Sequence, residues 1–376
     1  MRAGPGQTVA GRYRVTDRAA GPAAADGLRL VAVDAETGGR VLLEGVELPE
    51  VLVPELAGSV DFPGSRWLDP EPVLAVAAEA LAAVPEHPRL RQSFAVLAED
   101  GVVWVAVELP GGAPLTELLA EGPLEPYRVA ELAADLVAAL GAVHLTGRAH
   151  GGVLAERVHV YEDGAALLGG PVLGAVEEAL ARELGGPDGR RWGLARTGLV
   201  GARAERWPPE LLAEQGAVAG PPADLWALGV LLHRLLTGQG PFPEQAPPEL
   251  YAAVRAGQRL DSAPCGPLRP LVDGLLVPQP GQRWTAAQAR QWLTGMLAGA
   301  PEPYRVEPEH EVLPVLRPSW PLVVRRRRGA RAVGPEHARH ARAAARRPSP
   351  LLPLLLVGGV LVAMVAAMAA VVLLNG

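Results

Sequence analysis

Arg148-Ala-His-Gly-Gly-Val-Leu-Ala-Glu-Arg157 is the stretch whose reading decides the fold. Upstream, residues 127–145 carry Val129, Leu132, Leu136, Leu140 and Val143 at i, i+3, i+4 spacing, the signature of a long amphipathic helix. Downstream, Val158 to Tyr161 and Ala166 to Leu168 are short apolar runs around Glu162-Asp-Gly164 and read as strands. The stretch is therefore a loop between a buried helix and a small hairpin.

Working outward on the N-terminal side, residues 11–15, Leu28 to Val33 and Val41 to Val46 are three apolar runs parted by turn residues, which predicts an antiparallel meander. Pro72 to Val84 reads as a helix with alanine-rich apolar faces, and Phe94 to Leu97 with Val102 to Leu109 as a hairpin around Glu-Asp-Gly. Beyond Gly111-Gly112 the pattern turns helical: Leu115 to Ala120, then 127–145, 223–237, about 247–256, 267–276 and 285–297. Residues 174–206, rich in Gly and Arg, read as a loose segment.

Composition narrows the chemistry. The chain has 376 residues, 49% of them hydrophobic and 20% charged, which is enough for a large core or two moderate ones. A single cysteine, Cys265, excludes a disulfide framework and a Cys-based zinc site within one chain, and the eight histidines show no metalloprotease spacing. All 35 basic residues are arginine, so no reaction that needs a lysine amine can run on this chain.

The C-terminal quarter differs from the rest. Leu351 to Leu374 is 24 residues without a charge, about 36 Å as a helix and long enough for a bilayer core of about 30 Å. Between Arg325 and Pro350 nine arginines face one acid, Glu336, leaving 26 Arg against 40 Asp plus Glu elsewhere, a net of −14. The expectation is a single-pass anchor in the cell's inner (cytoplasmic) membrane with the bulk of the protein in the cytoplasm, Arg325 to Arg347 meeting anionic lipid headgroups, and no nucleic-acid partner. Residues 299–324 are Pro-rich and read as a linker.

A small sheet with one helix, a short hinge and a helical remainder resembles the protein-kinase layout, and five motifs in order strengthen the likeness. Val105-Ala-Val-Glu-Leu-Pro-Gly-Gly-Ala-Pro-Leu115 resembles the hinge of bacterial Ser/Thr protein kinases, and His144, Gly147 and His150-Gly resemble the approach to their catalytic loop. Trp207-Pro-Pro-Glu210 resembles the A-P-E motif, Asp224-Leu-Trp-Ala-Leu-Gly229 through Leu235-Leu-Thr-Gly-Gln-Gly-Pro-Phe242 the helix after it, and Gly281-Gln-Arg283-Trp-Thr-Ala286 the late arginine motif. The resemblance covers residues 11–297. It implies an α+β, two-lobed protein-kinase-like fold, with a small antiparallel β N-lobe at 11–110 and a mainly helical C-lobe at 111–298. Residues 299–324 (linker), 325–350 (basic segment) and 351–374 (one transmembrane helix) complete the organisation.

Phosphoryl transfer in this family needs a glycine loop, a strand lysine, a catalytic Asp and Asn, and a metal-binding Asp. Matched onto this chain, the first two glycine positions fall on Pro22 and Ala24, and Gly27 alone survives. Glu44 of Val41-Leu-Leu-Glu44 stands in place of the lysine and Glu79 in place of its helix partner; both read as solvated surface acids. The catalytic Asp falls on Gly152, the loop lysine on Leu154, the magnesium Asn on Arg157 and the second metal Asp on Gly169 or Gly170. Scaffold positions persist: His150 packing under the loop, Asp224 capping its backbone, and Glu210 paired with Arg283. The resemblance with these departures implies a degenerate member, a membrane-anchored pseudokinase that binds unidentified protein partners through the kinase-like lobe. No catalytic residue, metal or cofactor is expected, ATP with magnesium included; any nucleotide cleft would lie near Gly27 and Glu108. The alternative is an active ATP-dependent Ser/Thr kinase-like transferase using non-standard residues, for instance Glu162 or Asp163 on the metal.

Overall fold

The computed structural model describes residues 4–18, 28–52, 65–186, 191–200, 205–213, 217–243 and 247–299. The expected linker (beyond Gly299), basic segment and membrane helix, together with Gly27 and its glycine-loop neighbours Pro22 and Ala24, lie outside them. Among the described residues no helix is long and apolar enough to cross a membrane.

The N-terminal part is a curled antiparallel sheet. Strands β1 (Thr8–Val9), β2 (Tyr13–Arg18), β3 (Arg29–Asp34) and β4 (Arg40–Glu47) run in order. A two-stranded ribbon, β5 (Glu50–Leu52) with β6 (Ser65–Trp67), precedes helix α1 (Pro70–Ala83), which is followed by β7 (Ser93–Glu99) and β8 (Val102–Glu108). The sheet order is β1-β2-β3-β4-β8-β7, so β8 returns to the centre beside β4. The turn between β7 and β8 is Asp100-Gly101, both at positive φ (50° and 74°), the pairing a tight hairpin requires.

Alternation along β4 sorts its side chains to two faces. Val41 and Leu43 join Tyr13, Leu30 and Trp104 in one core cluster. Leu42 joins Val31, Val103, Val105 and Val107 in another. Glu44, two residues on from Leu42, shares the second face.

The remainder begins with β9 (Ala113–Pro114), α2 (Leu115–Ala120) and α3 (Pro126–His144), then β10 (Val158–Val160) and β11 (Ala166–Leu168). Gly112, at φ 75°, lies so close to the Val160 carbonyl that any Cβ would overlap it, which is why the hinge is glycine. Next come α4 (Pro171–Gly185), α5 (Trp192–Val200), α6 (Pro209–Leu212), α7 (Pro221–Thr237), α8 (Pro247–Ala256), α9 (Arg269–Leu275) and α10 (Ala286–Ala298). Helices α3 and α7 form the centre of the largest core, with Leu136, Leu140, Trp226, Leu228, Leu232 and Phe242 all buried.

The segment expected to be loose is helical over much of its length. Gly170 adopts the left-handed conformation as N-cap of α4, Pro171 sits at its first position, and Gly185-Gly186 ends it, the Pro-first, Gly-last pattern of a stable helix. Val172, Leu173, Val176, Ala179 and Leu180 then bury one face against Leu42, Val103, Val105 and Val107 of the sheet and Val73 and Ala77 of α1. Helix α4 therefore fills the space under the N-terminal sheet, on the face that carries Glu44. It is anchored further by Arg196 of α5, which is fully buried and donates to Glu178 (Nε to Oε2, 2.8 Å), to the Leu211 carbonyl (2.7 Å) and to the Ala217 carbonyl (2.8 Å).

Candidate functional site

The loop at 148–157 is held from below by α7. Asp224, in the first turn of that helix, is buried and accepts three hydrogen bonds: from the His150 backbone N–H (2.7 Å), the Gly151 N–H (2.8 Å) and the His144 ring (2.9 Å). His150 is fully buried, and its Nδ1 accepts from the Gly152 N–H at 3.2 Å. An acceptor Nδ1 fixes the neutral tautomer. Burial accordingly pushes its pKa down to about 3, with only Asp224 opposing. His150 and Asp224 thus fix the backbone of the loop without presenting a charged group to solvent.

Further along the chain Arg283 is buried against Glu210. Nη1 donates to Oε1 at 2.9 Å and Nη2 to Oε2 at 3.1 Å, while the Pro222, Val277 and Pro278 carbonyls take further N–H groups of the guanidinium. Its Cζ lies 5.2 Å from the Trp226 ring centroid. The guanidinium is buried and fully hydrogen-bonded while the Glu210 side chain stays 21% exposed, an arrangement in which the desolvation of the arginine is offset rather than merely opposed.

The interior of the site is built from arginines. Glu44 is 3% exposed, not a solvated surface acid: Arg91, 1% exposed, donates to its Oε2, and Arg29 Nη2 lies 3.2 Å from Oε1. The expectation fails because an acid inside an eight-residue strand shares the inward face with Leu42, and a guanidinium 47 residues away meets it there. Burial opposes ionisation of Glu44, but Arg91, then Arg29 and Arg157, outweigh it and hold its pKa below the usual carboxylate range. Glu79 is on the surface, its side chain 70% exposed and 3.4 Å from Arg148. It does not meet Glu44.

Gly152, the position matched to the catalytic Asp, leaves room for Arg157: a Cβ there would overlap Arg157 Nη1. Gly169, matched to the metal Asp, leaves room for Arg91, whose Cζ would lie 2.5 Å from a Cβ. Gly170 likewise faces Arg157, whose Cδ would stand 2.8 Å from a Cβ at that position. Arg157 Nη2 reaches Glu177 of α4 at 2.5 Å, and Arg206 Nη2 reaches the other oxygen of the same carboxylate at 2.5 Å. His159 is buried beside this group, its pKa pushed down to about 4 by burial and then by Arg91 and Arg29. So Glu44, Gly152, Arg157 and Gly169 come together, bridged by Arg91 and Glu177, which no sequence pattern singles out.

Other matched positions lie apart from this centre. Glu108 ends β8, half-buried, its N–H donating to the Gln92 carbonyl at 2.9 Å. Leu154 precedes a short 3-10 turn at Ala155–Arg157 and lines a cavity of about 490 Å³ with Leu119, Glu156, Arg206, Leu231 and Leu250. Asp163 caps the β10–β11 turn through the Ala165 N–H (2.9 Å). No cluster of metal-ligating side chains occurs among the described residues.

The chain is an α+β protein whose curled N-terminal sheet and helical remainder are compatible with a kinase-like fold. No protein-family model matches it. Among curated proteins it is 40% identical over 81 residues to Tribbles homolog 1 of Mus musculus, 21% of this chain and 22% of that one. It is 30% identical over 160 residues to Serine/threonine-protein kinase PknL of Mycobacterium tuberculosis, 42% of this chain and 35% of that one. Over 198 residues it is 31% identical to CBL-interacting protein kinase 16 of Oryza sativa subsp. japonica, 52% of this chain and 41% of that one. These matches, at low identity and spanning less than half the length of each relative, support a kinase-like family.

Proposed function

We propose that the chain is a pseudokinase: a kinase-like module that binds and positions partners and does not transfer phosphate. The observation that carries this reading is the charge pattern of the centre. A carboxylate, Glu44, occupies the strand position where the family has a cation, and the guanidiniums of Arg91 and Arg157 fill the space beside Gly169 and Gly152 where it has carboxylates. Magnesium needs oxygen ligands, and guanidiniums at those places repel it. Helix α4, packed under Leu42 and Val105, supports the same reading, because it occupies the face on which a nucleotide would lie.

Binding is the function left to the lobe. The cavity of about 490 Å³ beside Leu154 combines apolar walls from Leu119 and Leu231 with Glu156 and Arg206, a composition suited to a protein segment with an apolar anchor. Residues 351–374 anchor the module to a bacterial cytoplasmic membrane, and Arg325 to Arg347 draw it to anionic headgroups. The test is capture of partners from membranes by the full-length protein and by a Leu119→Arg variant. Partners retained equally by both would remove the cavity from the proposal.

The alternative, an active transferase, draws on the Ser/Thr protein kinases among the relatives. It would show as magnesium-dependent ATP turnover.

A further inference from the structure

Helix α10 gives one stripe to the core and keeps the adjoining one open. Ala289 and Leu293 are buried in the largest core cluster. Beside them Gln288, Gln291, Trp292, Gly295 and Met296, with Trp284 from just before the helix, line an open groove of about 620 Å³. The two tryptophans are half-buried, their ring centroids 6.3 Å apart and their planes at 56°, so they make a furrow rather than a stack. Trp284 is held firmly: its N–H donates to the Gly274 carbonyl at 3.0 Å, and Gly274 leaves room for the ring, which would stand 2.5 Å from a Cβ there. Gly295 is the anomaly. Glycine inside a helix costs stability relative to alanine, yet a Cβ at this position would meet nothing within 4 Å among the described residues. The packing of the lobe does not require that glycine; a second stretch of backbone approaching the helix does.

We propose that the furrow of Trp284, Trp292 and Met296 binds the chain's own Arg317-Pro-Ser-Trp-Pro321 as a polyproline II helix. Pro318 and Pro321 are three residues apart, the repeat that sets both on one edge of such a helix, about 9.3 Å from each other. Aromatic grooves accept this edge because proline has already fixed the conformation, so little entropy is lost on docking. The helix has no internal hydrogen bonds, and its carbonyls need donors. Gln291 is exposed along the groove, and Gln288 spends its side-chain oxygen on the Thr285 N–H at 2.8 Å, which leaves its NH2 for another acceptor. Reach is ample. The described residues end at Gly299, four positions past Gly295, and residues 300–317 form an 18-residue tether, about 60 Å when extended at about 3.3 Å per residue. Helix α10, 13 residues from Ala286 to Ala298, is only about 20 Å long. So short a tether holds the segment at an effective concentration on the order of millimolar. Docked, it leaves residues 322–324 alone between the groove and the arginines that begin at Arg325.

The experiment is disulfide trapping in the full-length protein carrying Gln291→Cys and Ser319→Cys, followed by non-reducing electrophoresis under mild oxidation. The native Cys265 is fully buried, its thiol pushed up to about 11 by burial, and stays out of the reaction. The reference pair is Ser319→Cys with Glu36→Cys, an exposed position in the turn between β3 and β4. The groove pair should close within one chain about tenfold faster than the reference pair, the advantage of a docked over a free tether. Pro318→Ala with Pro321→Ala, added to the groove pair, should bring the rate down to the reference, because it removes the polyproline edge without touching the described residues. Gly295→Gln should do the same by filling the furrow, where its Cβ meets no neighbour. A groove pair no faster than the reference overturns the proposal, as does a fast closure indifferent to both sets of changes. Disulfides formed only between chains overturn it too, since they make a second copy's segment the occupant.

Discussion

Replacing Glu44 by Gln tests the inverted centre at its most buried charge. The substitution keeps the shape and one acceptor oxygen but removes the charge that faces Arg91 and Arg29. Breaking a buried ion pair by neutralising one member costs about 3–5 kcal/mol, because the other charge is left in a low-dielectric site. Against a native stability of about 5–15 kcal/mol, that leaves a folded but weakened protein. With a urea dependence of about 3 kcal/mol/M for a chain of this size, the midpoint should fall by about 1–1.7 M, read by tryptophan fluorescence. Glu44→Lys, which installs the residue the kinase resemblance expects, should be worse than Glu44→Gln, since it sets a third cation beside two. The double variant Glu44→Leu with Arg91→Met should recover much of the loss, because removing both charges leaves neither one stranded. A Glu44→Gln midpoint within about 0.3 M of the unaltered protein, roughly 1 kcal/mol by the same dependence, would refute the reasoning and return Glu44 to the role of a solvated acid.

The same geometry sets three further outcomes. Asp224→Ala removes the acceptor of the His150 and Gly151 N–H groups and of the His144 ring; at about 1–3 kcal/mol for each buried N–H left without a partner, denaturation should show a loss of about 3 kcal/mol or more, with Asp224→Asn smaller. Gly152→Ala places a methyl group against Arg157 and should cost about 1–3 kcal/mol by overpacking, seen as a lower thermal midpoint. The folded pKa values of His150 (about 3) and His159 (about 4) lie below their ordinary value of 6.5, so the unfolded chain binds protons first as pH falls. Stability from these two groups is complete above pH 6.5 and declines toward pH 3; between about pH 7.5 and pH 5 the pair should lose about 4 kcal/mol. Denaturation at the two pH values checks this, and the pH-dependent part should shrink by about half in His159→Gln.

How much of this is legible in the sequence differs from element to element. The β7–β8 hairpin is, because Asp100-Gly101 supplies two positive-φ residues between alternating runs. Helix α3 is, because a 19-residue stripe at helical spacing has no other economical burial. Helix α4 is obscured by composition: the Gly- and Arg-rich run 174–206 in which most of it lies resembles a loop, although Gly170-Pro171 at one end and Gly185-Gly186 at the other mark a helix, and Val172, Val176 and Leu180 repeat every four residues. Register along β4 carries the sign that Glu44 shares the face of Leu42. What no local pattern carries is the meeting of Glu44 with Arg91, since a loop-borne arginine 47 residues away has no periodicity that points inward. Single positions such as Gly152 and Gly169 show in the sequence only that a side chain is missing. That guanidiniums fill the space is a fact of three-dimensional packing.

The central claim is that this centre is arranged to hold arginines rather than a metal and a phosphoryl donor. Its most direct test is transfer from γ-labelled ATP, with magnesium and with manganese, by the full-length protein to itself and to a mixed protein substrate. The account predicts no incorporation or ATP hydrolysis above the protein-free blank with either metal. Metal-dependent turnover that rises with protein concentration and is abolished by Asp163→Ala would contradict it.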